Sequence, residues 1–271
     1  MVELNKGLHC FAQVIPRLED NGMRDWPKQK QKILRLDLEG PVRRIGRSRR
    51  SVTGQAHVRG RSVRFESSLE CDFLNIVDFD PTVTEVIEQP LRIHFQGTDG
   101  RLRHYTPDFL VRYLDAPAGL FEIKYRENLW AQWKDRKPAF KAARQYAKKN
   151  GMTFSILTEV EIRGSGYLGN AKFLRGYIHR PEDRAMEEKL VSTLVVLGES
   201  TPAALLAACF YDKTNRMKAI PSLWRLVAIN RVNADLTQPL TMNTPIWIQA
   251  GEGFVWNDPH SYQFDLDQSL F

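Results

Sequence analysis

Two short apolar runs, Phe109 to Tyr113 and Leu120 to Lys124, flank the stretch Leu114 to Gly119 (LDAPAG). Aromatic and branched residues on either side of Asp, Pro and Gly predict a β-hairpin. This hairpin constrains its surroundings because it folds Asp108, just ahead of the first run, back toward Glu122 and Lys124 in the second. Side chains alternate along a strand, so Glu122 and Lys124 share a face. Two carboxylates and the neighbouring Ile123 backbone carbonyl form a hard-oxygen set suited to Mg²⁺. A lysine two residues on can orient or activate a water, which completes the parts needed for metal-assisted hydrolysis of a phosphodiester. The same residues also fit a plain hairpin with a Glu122–Lys124 surface salt bridge, and the residues alone leave both readings open.

The 271 residues suit one large domain or two small ones. No run approaches the roughly 18 apolar residues of a membrane-spanning helix. The opening MVELNKGLHCFAQVIPRLED lacks a basic start followed by an apolar core, so no secretion signal is expected. Three scattered cysteines, Cys10, Cys71 and Cys209, fit a reducing compartment, and none has the spacing of a zinc site. A cytoplasmic location is the expectation.

The net charge is +7, unevenly distributed. Between Pro41 and Phe65 stand eight arginines (Arg43, Arg44, Arg47, Arg49, Arg50, Arg59, Arg61 and Arg64) and no Asp or Glu. Such a stretch favours polyanions, and an arm lying on DNA phosphates is expected over 41–64. Phosphate contacts position a protein without reading sequence. From Val232 to Phe271 there is no Lys or Arg, and five acids stand there. Those acids are joined by Phe254, Trp256, Tyr262, Phe264 and Phe271, a composition that suits a protein partner or packing on its own domain.

Phe65, Leu69, Phe73 and Ile76 recur at helical spacing, which predicts a helix over Phe65 to Phe79 that ends at Asp80-Pro81. Glu66 and Glu70 share one face of it, and the pattern does not choose between them. Val83 to Ile87 reads as a strand, with Pro90 marking an edge or bulge. Leu91 to Phe95 and Leu102 to Tyr105 flank the turn GTDG. Glu127 to Asn150 predicts a helix broken or restarted at Pro138, with a lysine-rich outer face that is either solvated or a second DNA contact. Met152 to Thr158 is a further strand. Strand, helix, strand is a right-handed crossover, so the strands on either side should be parallel.

The second half reads as a small helical unit. Glu182 to Leu197 is amphipathic and stops at Gly198, and Thr201-Pro202 starts a short helix to Cys209. A third helix runs from Arg216 to Arg231 despite Pro221. Val232-Asn233 and Ile246 to Ile248 could pair as a wing, giving a winged-helix-like arrangement with a moderately basic third helix.

Five blocks in order, Ser68-Leu69-Glu70, Phe79-Asp80-Pro81, Glu88-Gln89-Pro90, Pro107-Asp108-Phe109 and Glu122-x-Lys124, give the chain a resemblance over about 40–250 to the TnsA family. These are endonuclease subunits of heteromeric transposases within the PD-(D/E)xK nuclease superfamily. Cys71 departs from the basic residue that relatives often carry there. The resemblance implies an α/β fold, a restriction-endonuclease-like mixed sheet flanked by helices. Together with a boundary that GSGYLGN and Arg180-Pro181 place near 170–180, the expected organisation is a lead over 1–40, a nuclease domain over 41–175, a winged-helix-like domain over 176–250 and a tail over 251–271. The resemblance also implies catalytic Glu70, Asp108, Glu122 and Lys124. The Mg²⁺ ligands would be Asp108, Glu122, the Ile123 carbonyl and Glu70, with Mn²⁺ able to substitute; by its position Gln89 is either a residue just behind them or, the more ordinary reading, a strand residue at a bulge. The implied partners are double-stranded DNA at transposon ends, a TnsB-type transposase and a TnsC-type ATP-dependent regulator bound through the C-terminal domain. The implied function is cleavage of transposon 5′ ends in cut-and-paste transposition. A restriction-like or junction-resolving nuclease, or a catalytically silent DNA-binding adaptor, are the alternatives.

Overall fold

The computed structural model describes residues 52–97 and 99–248. The lead over 1–40, Arg43, Arg44, Arg47, Arg49 and Arg50, and the tail over 251–271 lie outside the described residues. Among the described residues no helix is long and apolar enough to cross a membrane.

The chain opens with a hairpin of β1 (Gly54–Val58) and β2 (Arg61–Phe65), followed by α1 (Ser68–Phe79) and β3 (Val83–Glu88). A second hairpin, β4 (Ile93–Gln96) and β5 (Leu102–Tyr105), precedes β6 (Phe109–Tyr113) and β7 (Gly119–Ile123). Two helices, α2 (Arg126–Ala131) and α3 (Trp133–Lys149), lead to β8 (Thr153–Leu157) and the short α4 (Glu159–Arg163). The central sheet has the order β3-β6-β7-β8. β3 and β7 run antiparallel to β6, and β8 runs parallel to β7 after the α3 crossover. The expected mixed sheet flanked by helices is therefore present, and β3, which stops short of Pro90, is an edge strand.

Strand alternation divides the core. Val86, Phe109, Val111, Phe121 and Ile123 face α1, meeting Leu69, Phe73, Ile76 and Val77. Ile87, Leu110 and Leu120 face the other way, toward Phe140, Ala143 and Ala147 of α3 and Phe95 and Tyr105 of the β4–β5 hairpin. Both faces are covered, which explains why β6 and β7 read as continuous apolar runs.

Three local expectations need correction. Over 54–65 the basic stretch is a hairpin, with Arg59 and Gly60 both at positive φ in the tight turn. Its apolar positions, Val58, Val63 and Phe65, are buried with α1. Arg59 donates from its backbone N–H to Asp78 Oδ1 at 3.1 Å and from its guanidinium to the Asp80 carbonyl. Arg61 pairs with Glu85. These two arginines, though exposed, fasten the hairpin to the protein's own acids and carbonyls; Arg64 is exposed as well. Second, the helix begins at Ser68 and Phe65 ends a strand, because Ser67 is extended (φ −146°, ψ 159°) and its hydroxyl accepts the Glu70 N–H. Third, the break ahead of β8 falls at Gln132, and Pro138 is carried inside α3.

The second half continues with α5 (Tyr167–Ile178), α6 (Arg184–Leu197), β9 (Glu199–Ser200), α7 (Pro202–Cys209), α8 (Lys213–Ala228), β10 (Asn233–Ala234) and β11 (Ile246–Trp247). Thr201 caps α7 with Pro202 in its first turn, and Gly198 at φ +73° ends α6. The three two-residue strands pair in the order β10-β11-β9 over the helices. Helix α5 belongs to both halves: Leu168 is buried in the α1 core, while Ala171 and Leu174 are buried with α6, α7 and α8.

Candidate active site

Asp108 and Glu122 meet at one end of the sheet, where β6 begins and β7 ends. The pairing Phe109↔Phe121 sets this register. Asp108 is held from three sides. Its N–H donates to the Phe121 carbonyl at 3.0 Å and its carbonyl accepts the Gln89 N–H at 2.7 Å. Its Oδ2 accepts the Ile123 N–H at 2.7 Å, which ties the carboxylate to the residue between Glu122 and Lys124. Glu122 is only 4% exposed. Its Oε2 accepts the Tyr105 hydroxyl at 2.7 Å, and its Oε1 lies 3.6 Å from Arg136 Nη1. Lys124 follows the strand, donates its backbone N–H to the Leu157 carbonyl at 3.0 Å and is half-buried.

Glu70 comes from the opposite face, in the first turn of α1. Both its oxygens serve the start of its own helix: Oε2 accepts the Glu66 N–H at 2.8 Å, and Oε1 accepts the Ser67 hydroxyl at 2.9 Å. This is close to a capping box, a structural role for the side chain in addition to its place near the other carboxylates.

The electrostatics describe a site short of positive charge. Burial first, then the charges of Glu122 and Glu70, hold the Asp108 carboxyl well above the usual carboxylate range, against the Ile123 N–H and Lys124. Burial also raises Glu122, opposed by the Tyr105 hydroxyl, Lys124 and Arg136. Glu70 is raised by burial against its two cap hydrogen bonds. The Lys124 ammonium is shifted down by burial and by Arg136, although Glu122 and Asp108 act the other way. Tyr105 is pushed well up by burial and by Glu122, so its hydroxyl remains a proton donor to that carboxylate. Desolvated carboxylates that raise one another's pKa favour a cation in their midst.

The donor chemistry fits a hard divalent ion: oxygen ligands from Asp108 and Glu122, and no sulfur or imidazole. Among the described residues no three Asp, Glu, His or Cys side chains are already drawn into a coordinating cluster. A leftover acceptor stands alongside. Gln89, at φ +45°, is buried, and its Oε1 has no hydrogen-bond partner among the described residues.

Sequence reasoning missed Tyr105 and Arg136. Tyr105 carried no signal beyond closing a hairpin. Arg136 did carry one: with Trp133, Phe140, Ala143 and Ala147 it lies on the apolar stripe of α3, where a charge needs a partner. Behind the site a second polar group joins its two halves. Ser68 Oγ and Tyr125 Oη are 2.9 Å apart, linking α1 to the residue after Lys124. Arg163 donates to both, at 3.2 and 3.3 Å, and its Nε donates to Asp72 Oδ2 at 2.7 Å. Lys172 Nζ donates to the other Asp72 oxygen at 2.5 Å.

No curated protein matches the chain. Residues 80–159 match the family model described as TnsA-like endonuclease N terminal. The matched segment runs from the end of α1 to the start of α4 and contains Asp108, Glu122 and Lys124, while Glu70 lies ahead of it. Over this segment the chain is similar to the N-terminal part of TnsA-like endonucleases.

Proposed function

We propose that this protein is a Mg²⁺-dependent DNA endonuclease that cuts the 5′ ends of a transposon. A TnsB-type transposase would cut the 3′ ends, and a TnsC-type regulator would bind the C-terminal half. The observation that carries this reading is the meeting of Asp108 and Glu122 at the end of the β6–β7 pair, with Lys124 beside them and Glu70 facing them.

Asp108, Glu122 and the Ile123 carbonyl would hold the ion, with Glu70 as a further carboxylate directly or through water. Bound there, Mg²⁺ supplies Lewis-acid polarisation of the scissile phosphate and eases deprotonation of water. The Ile123 N–H fixes one oxygen of Asp108 and the Tyr105 hydroxyl fixes one oxygen of Glu122, so each carboxylate presents its other oxygen. Lys124 orients the attacking water, and its depressed pKa lets it exchange a proton more readily than a free lysine. A P–O bond forms to the water oxygen and the P–O3′ bond breaks. The products are a 5′-phosphate and a 3′-hydroxyl, which takes up a proton.

The basic hairpin and its flank would lie toward DNA, where Arg59, Arg61 and Arg64 are all exposed. The helices α6, α7 and α8 with their small sheet support a winged-helix reading of the C-terminal half. Three of its basic residues are engaged internally: Arg225 and Arg231 with Glu187, and Arg216 with the carbonyls of Phe210 and Tyr211. A DNA-associated, cytoplasmic protein follows from this function.

The test is nicking of supercoiled plasmid in Mn²⁺, alone and with the transposase and a transposon end. Cleavage by the wild type that is lost in Asp108→Ala supports the reading. Equal cleavage by both proteins places the activity elsewhere and overturns it.

A further inference from the structure

Arg136 lies on the stripe of α3 that carries buried Phe140, Ala143 and Ala147, and its surroundings are unusual. Its Nε donates to Gln132 Oε1 at 2.9 Å, one turn earlier, which holds the guanidinium at the N-terminal end of the helix. From there Nη1 faces Glu122 Oε1 at 3.6 Å, too far for a hydrogen bond and close enough for an ion pair. The Glu122 side chain is 5% exposed, whereas that of Arg136 is 41% exposed. Arg136 therefore reaches into the carboxylate site from its rim while remaining open to solvent. Glu122 Oε2 is occupied by Tyr105, so Oε1, the oxygen that Arg136 faces, is the one left for a metal ion.

We infer that Arg136 is a placeholder cation with a second task. In the free protein it compensates the charge of Glu122. Once Glu122 serves a divalent ion, the two cations repel, and the guanidinium, still tethered at Gln132, turns outward to a DNA phosphate next to the scissile one. This deepens the nuclease reading and rests on it. The loose geometry is what such a switch requires, since a bidentate buried pair would hold the carboxylate too firmly. The site would then bind its metal and its DNA in a linked fashion, each favouring the outward position of Arg136.

Two measurements on the full chain test this without relying on turnover. The first is calorimetric titration with Mn²⁺ in the absence of DNA. Arg136→Ala is expected to bind Mn²⁺ more tightly than wild type, on the order of fivefold, because a competing partly exposed cation is gone; Arg136→Lys should lie between them. A purely structural arginine would give the opposite sign, since its loss would loosen Glu122 and weaken binding. The second is the salt dependence of DNA binding. With Ca²⁺ present, the log–log slope of wild type should be steeper than that of Arg136→Ala by about 0.9, the value of one phosphate contact. In EDTA the two slopes should coincide.

Weaker Mn²⁺ binding in Arg136→Ala, or equal slopes in Ca²⁺, overturns the inference. Asp108→Asn separates this from failure of the nuclease reading. If Asp108→Asn binds Mn²⁺ as wild type does, the metal site itself is misplaced. If it loses Mn²⁺ while Arg136→Ala shows neither effect, only the role of Arg136 falls.

Discussion

Asp108 illustrates how a residue proposed for catalysis opposes the fold that carries it. Its carboxyl is raised well above its ordinary value by burial and by two neighbouring acids. For a carboxylate the sign follows directly. The native state binds the proton more tightly than the unfolded chain, so the contribution to stability is fully present below the unfolded pKa. It is lost as pH rises through the raised folded pKa. Above the unfolded pKa the shift therefore costs the native state stability. Asp108→Asn keeps an acceptor for the Ile123 N–H while removing the charge. We expect it to raise stability at pH 7 by about 1–2 kcal/mol, to give no gain near pH 3, and to abolish cleavage. Thermal melts at the two pH values check this, and a loss of stability at pH 7 would contradict it. The raised carboxyls lead us to expect that Mn²⁺ binding weakens with falling pH from above the range of free carboxylates, which titrations at several pH values would check. Glu122→Gln and Lys124→Ala should each lower cleavage by at least about 10²-fold while sparing DNA binding, as gel-shift and nicking assays on the same preparations would show. The grouping of these residues was legible because all three sit on or beside one hairpin. The partners that tune them were not: Tyr105 reaches Glu122 from another strand pair and Arg136 from a helix, contacts that only the tertiary fold creates.

At the scale of elements, legibility followed periodicity. The β6–β7 hairpin, α1 and the crossover to β8 were readable because their apolar spacing and turn residues agree. The β1–β2 hairpin was hidden by its arginines, whose density suggests an open arm. Its alternating Val58, Val63 and Phe65 were the weaker signal, and its internal partners Asp78, Asp80 and Glu85 lie on other elements. The break at Gln132 was misplaced for a related reason: Pro138 marks a lost hydrogen bond, yet a helix packed along one face tolerates it. The group of Ser68, Tyr125, Asp72 and Arg163 shows how elements fix one another, since Arg163 at the end of α4 joins α1 to the segment after Lys124. Arg163→Ala removes three hydrogen bonds but leaves Lys172 on Asp72. The expected cost is about 1–2 kcal/mol, together with a fall in kcat at unchanged DNA affinity. Arg163→Lys should recover stability better than activity, because one ammonium cannot reach Asp72, Ser68 and Tyr125 as the planar guanidinium does. Denaturant melts and single-turnover cleavage read the two separately.

Over the whole molecule, the question is whether the nuclease half and the C-terminal half unfold together. Helix α5 places Leu168 in one core and Leu174 in the other. From its outer side, Arg175 pairs with Asp78 of α1 at 2.9 Å. From its inner side, buried Asn170 donates to the Leu236 and Gln238 carbonyls and accepts the Leu240 N–H. At the far end of the second core stands Glu187, fully buried, with Arg225 donating to both its oxygens at 2.8 and 2.9 Å and Arg231 at 3.6 Å. Removing one member of a buried pair leaves the other charge without compensation, so Glu187→Ala should destabilise by about 3–5 kcal/mol. The residue is remote from Asp108 and Glu122, and the shared helix decides how far its loss is felt. Because α5 cannot leave one core without uncovering the other, we expect wild type and Glu187→Ala each to melt in a single calorimetric transition, lowered in the variant. A tryptophan signal from Trp224 in the second core and metal binding at the first site should be lost at the same temperature. Two transitions in Glu187→Ala, the lower one sparing metal binding, would instead mean that α5 is a hinge, and that the C-terminal half can unfold or rearrange on a partner while the nuclease core stays intact.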